Sequence, residues 1–349
     1  MRPNSRSHVA LAPLTTLRIG GPAARLIDLE REEDVIDAVR DADAIREPLL
    51  VLGEGSNVVI ADEGFPGTVG RMAVRGIDVR SGGDRVTVEV GAGETWDDVA
   101  ARAGGEGWGG LECLSGIPGL AGATPIQNVG AYGQEVGDTI AAVRAFDRAS
   151  GTFVDLTPRS CAFAYRSSVF KRKDRWIVTR VRFVLPRGPL AAPVRYAELA
   201  RALGVREGDR PPLSEVRDTV IALRRQKGMI VDAEDPDSFS AGSFFVNPVV
   251  DGAVRNSVEA RAGDRPPSFD AGDGRYKLAA AWLVERAGFP KGWGEGRVGV
   301  SRKHALSLVN RGGGSARELL ACARTIRDGV RERFGVSLEP EPVLVGCTW

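Results

Sequence analysis

Two glycine-rich segments offer bare backbone and small polar side chains of the kind that holds a phosphate. The first is Gly53-Glu54-Gly55-Ser56-Asn57, where consecutive N–H groups in a turn would form a nest for an anion. The second covers residues 115–133 and carries glycine at 116, 119 and 122, so that a ligand can approach the backbone closely. Residues 113–134 carry no charge over 22 positions, which predicts that N–H and hydroxyl dipoles hold a diphosphate there. A plain turn between two strands is the alternative for the first segment.

Three further positions could handle charge and protons. Arg166 lies among apolar and aromatic residues, where a guanidinium either pairs with a protein carboxylate or binds an anionic ligand group. Ser243 follows a glycine and precedes two phenylalanines without a G-x-S-x-G pattern, which favours a general acid over an acyl-transfer nucleophile. An ordinary strand hydroxyl is the alternative for Ser243. Glu339 and Glu341 share one face of an extended segment, and Glu341 is of interest only if it meets Arg166 and Ser243.

Alternating helix and strand patterns must position these residues. A buried strand, the first glycine turn and a second strand follow one another with no helix after the glycines, which disfavours a Rossmann dinucleotide site. Period-two and apolar runs predict strands over 24–29, 49–52, 58–60, 85–90, 142–147, 176–178, 181–185, 243–246 and 305–309. Helical spacing predicts helices over 31–43, 96–103, 211–227 with Ser214 as N-cap, 278–287 and 315–334. Prolines at 340 and 342 predict an edge or irregular strand over 336–346.

Composition narrows the class of protein. A chain of 349 residues predicts two or three domains, and 47 basic against 46 acidic residues argue against nucleic-acid binding. Two histidines and four scattered cysteines predict no metal site and a reducing, cytoplasmic location. The N-terminal residues lack the apolar core of a signal peptide, and the uncharged stretch 113–134 contains too many glycines and prolines to span a membrane.

Seven segments, in order along nearly the whole chain, resemble the bacterial UDP-N-acetylenolpyruvoylglucosamine reductases. They are 15–23 (TTLRIGGPA), 53–57 (GEGSN), 116–133, 165–167 (YRS), 242–248 (GSFFVNP), 301–306 (SRKHAL) and 338–341 (LEPE). The resemblance implies an α/β (α+β) architecture, with an FAD-binding fold of the vanillyl-alcohol-oxidase (PCMH) type in two lobes and a C-terminal α+β substrate domain. The expected boundaries are 1–70 and 71–210 for the lobes, 211–336 for the substrate domain, and 337–349 for a strand returning to the active site.

The resemblance also implies an activity. NADPH would reduce non-covalently bound FAD, which would pass hydride to UDP-N-acetylglucosamine enolpyruvate and form UDP-N-acetylmuramate for peptidoglycan. Ser243 would protonate the neighbouring carbon, while Arg166 and a protonated Glu341 would stabilise the enolate. The implied cofactor-binding residues are Gly53, Glu54, Gly55, Ser56, Asn57, Ser115, Gly116, Ile117, Pro118, Gly119, Gly122, Ala123, Gln127 and Asn128. The implied substrate-binding residues are Tyr132, Lys227, Asn247 and Tyr196, the last being the loop tyrosine of the first subtype.

The sequence departs from the family pattern at one motif position and carries one insertion, and two other functions stay open. The one departure in a family motif is Val343, which stands where some relatives carry arginine; the acidic segment 229–240 is an insertion between Lys227 and Ser243 and has no predicted geometry. An FAD-dependent oxidase of a small alcohol or sugar would usually tether its flavin covalently, here through Cys113 or Cys161, since no histidine lies between His8 and His304. A nucleotide-binding regulatory module is the second alternative. The expected partner is a UDP-sugar, and a monomer is the expected state.

Overall fold

The computed structural model describes residues 5–349, so the first four residues of the predicted lobe 1–70 and of the segment searched for a signal peptide lie outside the described residues. The strands are β1 (Ser5–Ala10), β2 (Pro22–Leu29), β3 (Leu49–Leu52), β4 (Val58–Ile60), β5 (Phe65–Met72), β6 (Ile77–Gly82), β7 (Arg85–Gly91), β8 (Gly130–Ala131), β9 (Gln134–Glu135), β10 (Ile140–Asp147), β11 (Thr152–Leu156), β12 (Trp176–Pro186), β13 (Ser240–Ser243), β14 (Val249–Asp251), β15 (Ser268–Asp270), β16 (Arg275–Leu278), β17 (Val298–Val300), β18 (Ser307–Asn310) and β19 (Val343–Val345). The helices are α1 (Glu32–Ala44), α2 (Trp96–Gly105), α3 (Pro158–Cys161), α4 (Ala197–Leu203), α5 (Leu213–Gln226), α6 (Gly252–Ala262), α7 (Ala280–Arg286) and α8 (Ala316–Phe334).

The first compact unit comprises residues 5–9, Ala23–Glu54 and Pro66–Arg225 of the described chain. One sheet has the order β1-β2-β5-β3, with β3 parallel to β5, and α1 buries an apolar stripe with helical spacing. A second sheet has the order β11-β10-β12-β7-β6, and its neighbouring strands are antiparallel. Alternate valines of β7 point into a core that also holds Trp96 of α2 and Phe183 of β12.

The second compact unit is assembled from three stretches of chain, namely Ala10–Pro22, Gly55–Phe65 and Gln226–Trp349. Its sheets have the orders β13-β18-β17 and β14-β16-β15, and β19 pairs with β4 in parallel. Helix α8 buries leucine, isoleucine, valine and phenylalanine side chains in the core of this unit. The pairing of β4 with β19 ties the stretch after the first glycine turn to the last strand of the chain.

Several elements differ from those predicted. Helix α5 begins at Leu213, so Ser214 lies inside the first turn and is not the N-cap. Residues 176–178 and 181–185 form one strand, β12, which continues through Thr179 although its register with β10 shifts at that point. The observed strand β13 covers Ser240–Ser243 and therefore ends where the predicted strand 243–246 was expected to begin. Beyond it, Phe245 makes only an isolated bridge to Pro340. The tail is regular only over β19, beyond the two prolines that cannot donate ladder hydrogen bonds.

The compact units also divide the chain differently from the predicted lobes and substrate domain. Residues 10–22 and 55–65 fall inside the predicted lobe 1–70, yet they pack with the C-terminal part of the chain. Strands β3 and β4, on either side of the first glycine turn, accordingly belong to different sheets and to different units. Among residues 5–349, no helix combines the length and the apolar character needed to cross a bilayer.

The N-terminus of α8 generates a stability prediction. Ser315 accepts a hydrogen bond from the Glu318 N–H through its side chain, and the Glu318 carboxylate accepts one from the Ser315 N–H. We expect Ser315→Ala to lower the free energy of unfolding by about 1 kcal/mol, because it leaves a helix N–H unsatisfied. The measurement is the urea unfolding midpoint. Thr325→Ala, which removes an exposed hydroxyl within the same helix, should leave the midpoint unchanged or raise it slightly, and an equal loss in both variants would contradict the prediction.

Candidate active site

Ser243 and Glu341 lie on neighbouring extended segments of the second unit. The Glu341 N–H donates to the Phe244 carbonyl at 2.8 Å, and the Val246 N–H donates to the Glu339 carbonyl at 3.0 Å. The two segments are antiparallel, with Phe245 opposite Pro340. The structure therefore brings together two of the three predicted catalytic residues, although about 100 residues of sequence separate them. Arg166, the third, belongs to the first unit.

The end of the first glycine turn lies beside the segment that carries Glu341. The Val343 N–H donates to the Asn57 carbonyl at 3.0 Å, and the parallel pairing of β19 with β4 begins at this point. Glu341 lies two residues before Val343, so it is placed at the same end of the strand pair as Ser56 and Asn57. Val343, the departure from the family pattern, thus contributes its backbone to this strand pairing.

Thr16 lies in the family segment 15–23 and connects this turn to the strand that ends at Ser243, a contact that the sequence did not predict. Its hydroxyl donates to the Ser240 carbonyl at 2.7 Å, and its N–H donates to the Gly55 carbonyl at 3.2 Å. Gly55 has a φ of +59°, and an added Cβ would lie 2.4 Å from the Leu14 carbonyl oxygen. Glycine is therefore required at position 55 by both conformation and space.

An aromatic group lies directly behind Ser243. Phe244 and Phe245 are each 1% exposed, and the ring of Trp349 lies 6.3 Å and 6.1 Å from their ring centroids. The guanidinium of Arg327 lies 4.8 Å from the Trp349 ring centroid. The Phe244 N–H also donates to the Leu306 carbonyl at 2.7 Å. Ser243 is consequently attached to a rigid, water-poor segment.

The acidic segment 229–240 is tied to the Ser301–His304 motif. Buried Asp237 accepts from Arg302 Nε at 2.7 Å, and Asp235 pairs with Lys303 at 2.7 Å. The segment begins just after Gly228, whose φ is +64° and whose added Cβ would lie 2.8 Å from the Asp237 carbonyl oxygen. These contacts fix the backbone next to Lys227, one of the predicted substrate-binding residues.

Asn247, another predicted substrate-binding residue, lies beside the first residue of α7, Ala280. Its Oδ1 accepts a hydrogen bond from the Ala280 N–H at 2.9 Å, which satisfies the first N–H of that helix. The bond fixes the orientation of the amide group, so the rest of the side chain is presented in one direction.

In the first unit, Arg166 lies at the tip of a tight turn. Ala164 and Ser167 exchange two backbone hydrogen bonds of 3.0 Å around it, and Arg166 itself has a φ of +51°. Its Nη2 donates to the Gly130 carbonyl at 2.7 Å. A left-handed arginine is uncommon, and such conformations concentrate at functional sites.

Two other predicted residues of this unit, Asn128 and Tyr132, share that left-handed conformation, each with a φ of +48°. The Asn128 amide donates to Glu135 at 2.6 Å and accepts from the Gly137 N–H at 2.9 Å, so it organises the loop it lies in. Tyr132 meets Tyr196 edge to face with ring centroids 5.6 Å apart, which brings two predicted substrate-binding residues together. Burial raises the pKa of Tyr132 to about 12, and partial desolvation raises the pKa of Tyr196, which is 38% exposed. Both phenols therefore stay protonated and can donate hydrogen bonds.

The second glycine segment is held by charged residues that sequence reasoning missed. Asp97 accepts from the Gly116 N–H at 2.6 Å and pairs with Arg217 through two bonds of 2.7 and 2.9 Å. Buried Arg224 donates to the Gly116 carbonyl at 3.1 Å. Burial lowers the pKa of Arg224 to about 10, so it stays charged at neutral pH. A signal existed for Arg224, because it lies four and eight residues after the buried Val220 and Val216 of α5.

Glu54 joins the two glycine segments within the first unit. The Gly119 N–H donates to its carboxylate at 3.0 Å, while Gly53 lies against Leu120. Burial raises the pKa of Glu54, and the bond from Gly119 opposes that rise. Gly122 was expected to let a ligand approach the backbone, but it faces the protein instead. An added Cβ there would lie 2.3 Å from the Cβ of Ala92. That glycine permits close packing of two pieces of backbone.

The donor groups of these segments fit a dinucleotide. Ser115 is fully buried, and its Oγ has no hydrogen-bond partner within residues 5–349. A buried hydroxyl without a partner is costly, and an oxygen of a bound phosphate or ribose would satisfy it. The neutral donors and close backbone suit FAD, whose diphosphate needs N–H and hydroxyl groups. The cofactor-binding roles of Ile117, Pro118, Ala123 and Gln127 stay predictions.

Comparisons with known proteins agree with this reading of the site. A family model described as "FAD binding domain" matches residues 23–157, and one described as "UDP-N-acetylenolpyruvoylglucosamine reductase, C-terminal domain" matches residues 235–345. The FAD-binding match confirms the predicted cofactor, FAD. Together with the similarity to a solved flavoenzyme structure, it also confirms the predicted fold class. The fold and site thus define a flavin-dependent oxidoreductase.

Curated relatives are similar over nearly the whole chain. UDP-N-acetylenolpyruvoylglucosamine reductase of Salinispora arenicola is 52% identical, covering 99% of this chain and 97% of its own. The protein of the same name from Streptomyces coelicolor is 54% identical, covering 96% of this chain and 89% of its own. The crystal structure of the Thermus caldophilus enzyme is similar with a TM-score of 0.67 at 27% identity, covering 99% of both chains. The chain belongs to the UDP-N-acetylenolpyruvoylglucosamine reductase family, as the sequence motifs predicted.

The packing of Gly122 on Ala92 generates a second prediction. We expect Gly122→Ala to lower the free energy of unfolding by about 1–3 kcal/mol and to reduce the FAD content of the purified protein, because the added methyl group displaces the loop that carries Ser115. The measurements are the thermal midpoint and the ratio of flavin to protein absorbance. Gly105→Ala is the matched control, since an added Cβ there meets nothing within 4 Å, and full flavin content in Gly122→Ala would contradict the prediction.

Proposed function

We propose that the protein catalyses the NADPH-dependent reduction of UDP-N-acetylglucosamine enolpyruvate to UDP-N-acetylmuramate, a cytoplasmic step in the synthesis of peptidoglycan precursors. The observation that carries the proposal is the placement of Ser243 beside the segment of Glu341, through the bond between the Glu341 N–H and the Phe244 carbonyl. This arrangement supplies a proton donor and a carboxyl group to the same substrate. The names of the relatives described above support the substrate.

The proposed chemistry assigns one task to each catalytic residue. FAD held by the two glycine segments and reduced by NADPH would supply the hydride for the terminal carbon of the enolpyruvyl double bond. Negative charge would then develop on the substrate carboxylate as an enolate. Arg166 stabilises that charge with a charged, fork-shaped donor, and Glu341 in its protonated form donates a hydrogen bond to it. Ser243 Oγ then gives its proton to the neighbouring carbon, which completes the addition of two hydrogens across the double bond.

The remaining predicted residues divide between cofactor and substrate. We propose that the two glycine segments bind FAD through backbone N–H groups together with Ser56, Asn57 and Ser115. Lys227 and Asn247 bind the diphosphate of the UDP-sugar, and the edge-to-face pair of Tyr132 and Tyr196 contacts the same ligand. Both tyrosines suit this role because they keep their protons at neutral pH.

A half-reaction experiment tests the role of Ser243. We expect Ser243→Ala to be reduced by NADPH at the wild-type rate, because the serine donates its proton only after hydride transfer to substrate. Product formation on adding UDP-N-acetylglucosamine enolpyruvate should fall by a factor of about 10²–10⁴, as is typical when a general acid is removed. Stopped-flow flavin absorbance measures both steps. Ser257→Ala, an exposed serine of α6, is the matched control, and wild-type turnover in Ser243→Ala would refute the assigned role.

The alternative function, a small-alcohol or sugar oxidase with tethered flavin, has a separate test. Cys113 and Cys161 are both buried, and burial raises the pKa of each thiol, which disfavours the thiolate that forms a flavin bond. We therefore expect acid precipitation of the protein to release all flavin into the supernatant. Flavin absorbance that stays with the pellet would support the oxidase and count against the reductase.

A further inference from the structure

Ser307, at the beginning of β18, carries a buried hydroxyl that the proposed mechanism does not use. The residue is 0% exposed, and its Oγ has no hydrogen-bond partner in the described part of the chain. Its backbone is fully bonded, because its N–H donates to the His304 carbonyl at 3.2 Å and its carbonyl accepts from the Ser301 N–H at 2.8 Å. Only the side chain is unsatisfied, and such groups are rare enough in folded proteins to call for an explanation.

The strand register places this hydroxyl opposite Ser243. Strands β13 and β18 are antiparallel, and Ser243 is the direct partner of Ser307. The backbone bond between the Phe244 N–H and the Leu306 carbonyl lies at the next pair, so the two serines occupy a position without backbone bonds between them. Directly opposite side chains point to the same face of a sheet, with Cβ atoms about 4.5–5.5 Å apart, the shorter distances occurring at such positions. At that separation of the Cβ atoms, a change in the χ1 rotamer of either serine can bring the two hydroxyl groups within hydrogen-bond distance.

We infer that Ser307 is a positioning residue for Ser243, whose hydroxyl donates a hydrogen bond to Ser243 Oγ during the reaction. The inference rests on the proposed function of Ser243. When the Ser243 Oγ–H bond breaks and its proton goes to the substrate carbon, the oxygen keeps the electron pair and becomes negatively charged. The Ser307 Oγ–H then faces an anion, and hydrogen bonds to charged acceptors are roughly twice as strong as those between neutral groups.

The surroundings make this donor effective. Ser243 is partly exposed, but Phe244 and Phe245 directly after it are each 1% exposed and exclude water from one side of it, so few water molecules can stabilise the charge on Ser243 Oγ. A donor that is unsatisfied before the reaction and satisfied during it favours the transition state over the ground state, which is the condition for accelerating a step. The free-energy cost of the unpaired Ser307 hydroxyl in the ground state is therefore relieved in the transition state.

The test compares Ser307→Ala with Ser301→Ala, a serine that is also 0% exposed but whose Oγ accepts from the Lys303 N–H at 3.0 Å. For Ser307→Ala we expect the reduced enzyme to be reoxidised by UDP-N-acetylglucosamine enolpyruvate about tenfold more slowly than wild type. This effect is smaller than the factor of 10²–10³ that is typical when a donor in direct contact with the oxyanion is removed. KM and the rate of reduction by NADPH should not change. The urea midpoint of Ser307→Ala should stay equal or rise, since an unpaired buried hydroxyl has been removed. Ser301→Ala should show the reverse pattern, a lower midpoint with unchanged reoxidation.

The outcomes separate this inference from the proposed function. Reoxidation of Ser307→Ala within twofold of wild type, while Ser243→Ala is slow, overturns the inference and leaves the proposed function standing. Slow reoxidation accompanied by a lower midpoint in both Ser307→Ala and Ser301→Ala also overturns it, because a structural role would produce that result. Wild-type protein that is reduced by NADPH but not reoxidised by the enolpyruvyl sugar overturns both.

Discussion

The antiparallel contact between Phe244–Val246 and Glu339–Glu341 is the constraint on which the second unit's part of the site depends. One backbone bond, from the Glu341 N–H to the Phe244 carbonyl, places the backbone of Glu341 beside the residue that follows Ser243. The same Phe244 donates its N–H to Leu306, so its backbone is fixed from both sides. Because a slip of one residue would turn Glu341 to the opposite face, this register matters more than the identity of the surrounding apolar side chains.

Glycine serves two distinct physical purposes in this protein. At Gly55 and Gly122 it permits close packing, since a side chain would overlap Leu14 or Ala92. At Gly116 the positive φ exposes both an N–H and a carbonyl, which Asp97 and Arg224 occupy from within the protein. The glycine segments are therefore rigid before any ligand arrives, which lowers the entropic cost of binding one.

The sequence allowed much of the fold to be predicted, and the reasons for the failures are physical. Helix α8 and strand β7 have apolar periods long enough to identify, and the motifs identified the family and its flavin. The pairing of β4 with β19 could not be predicted, because two short apolar runs carry no information about register or partner. The same holds for Thr16, whose bond to Ser240 joins residues 224 positions apart. Arg224 was predictable in principle, since a charge on the apolar face of a helix must find partners.

The three-part construction of the second unit has a consequence for how the chain folds during synthesis. Residues 58–60 are synthesised 285 positions before their strand partner, residues 343–345. The stretches 10–22 and 55–65 can therefore complete their packing only after the third stretch, Gln226–Trp349, has been translated. Contacts of such long sequence separation also slow the final folding step. The contact between Phe244 and Glu341 can therefore form only once the segment around Glu341 has left the ribosome.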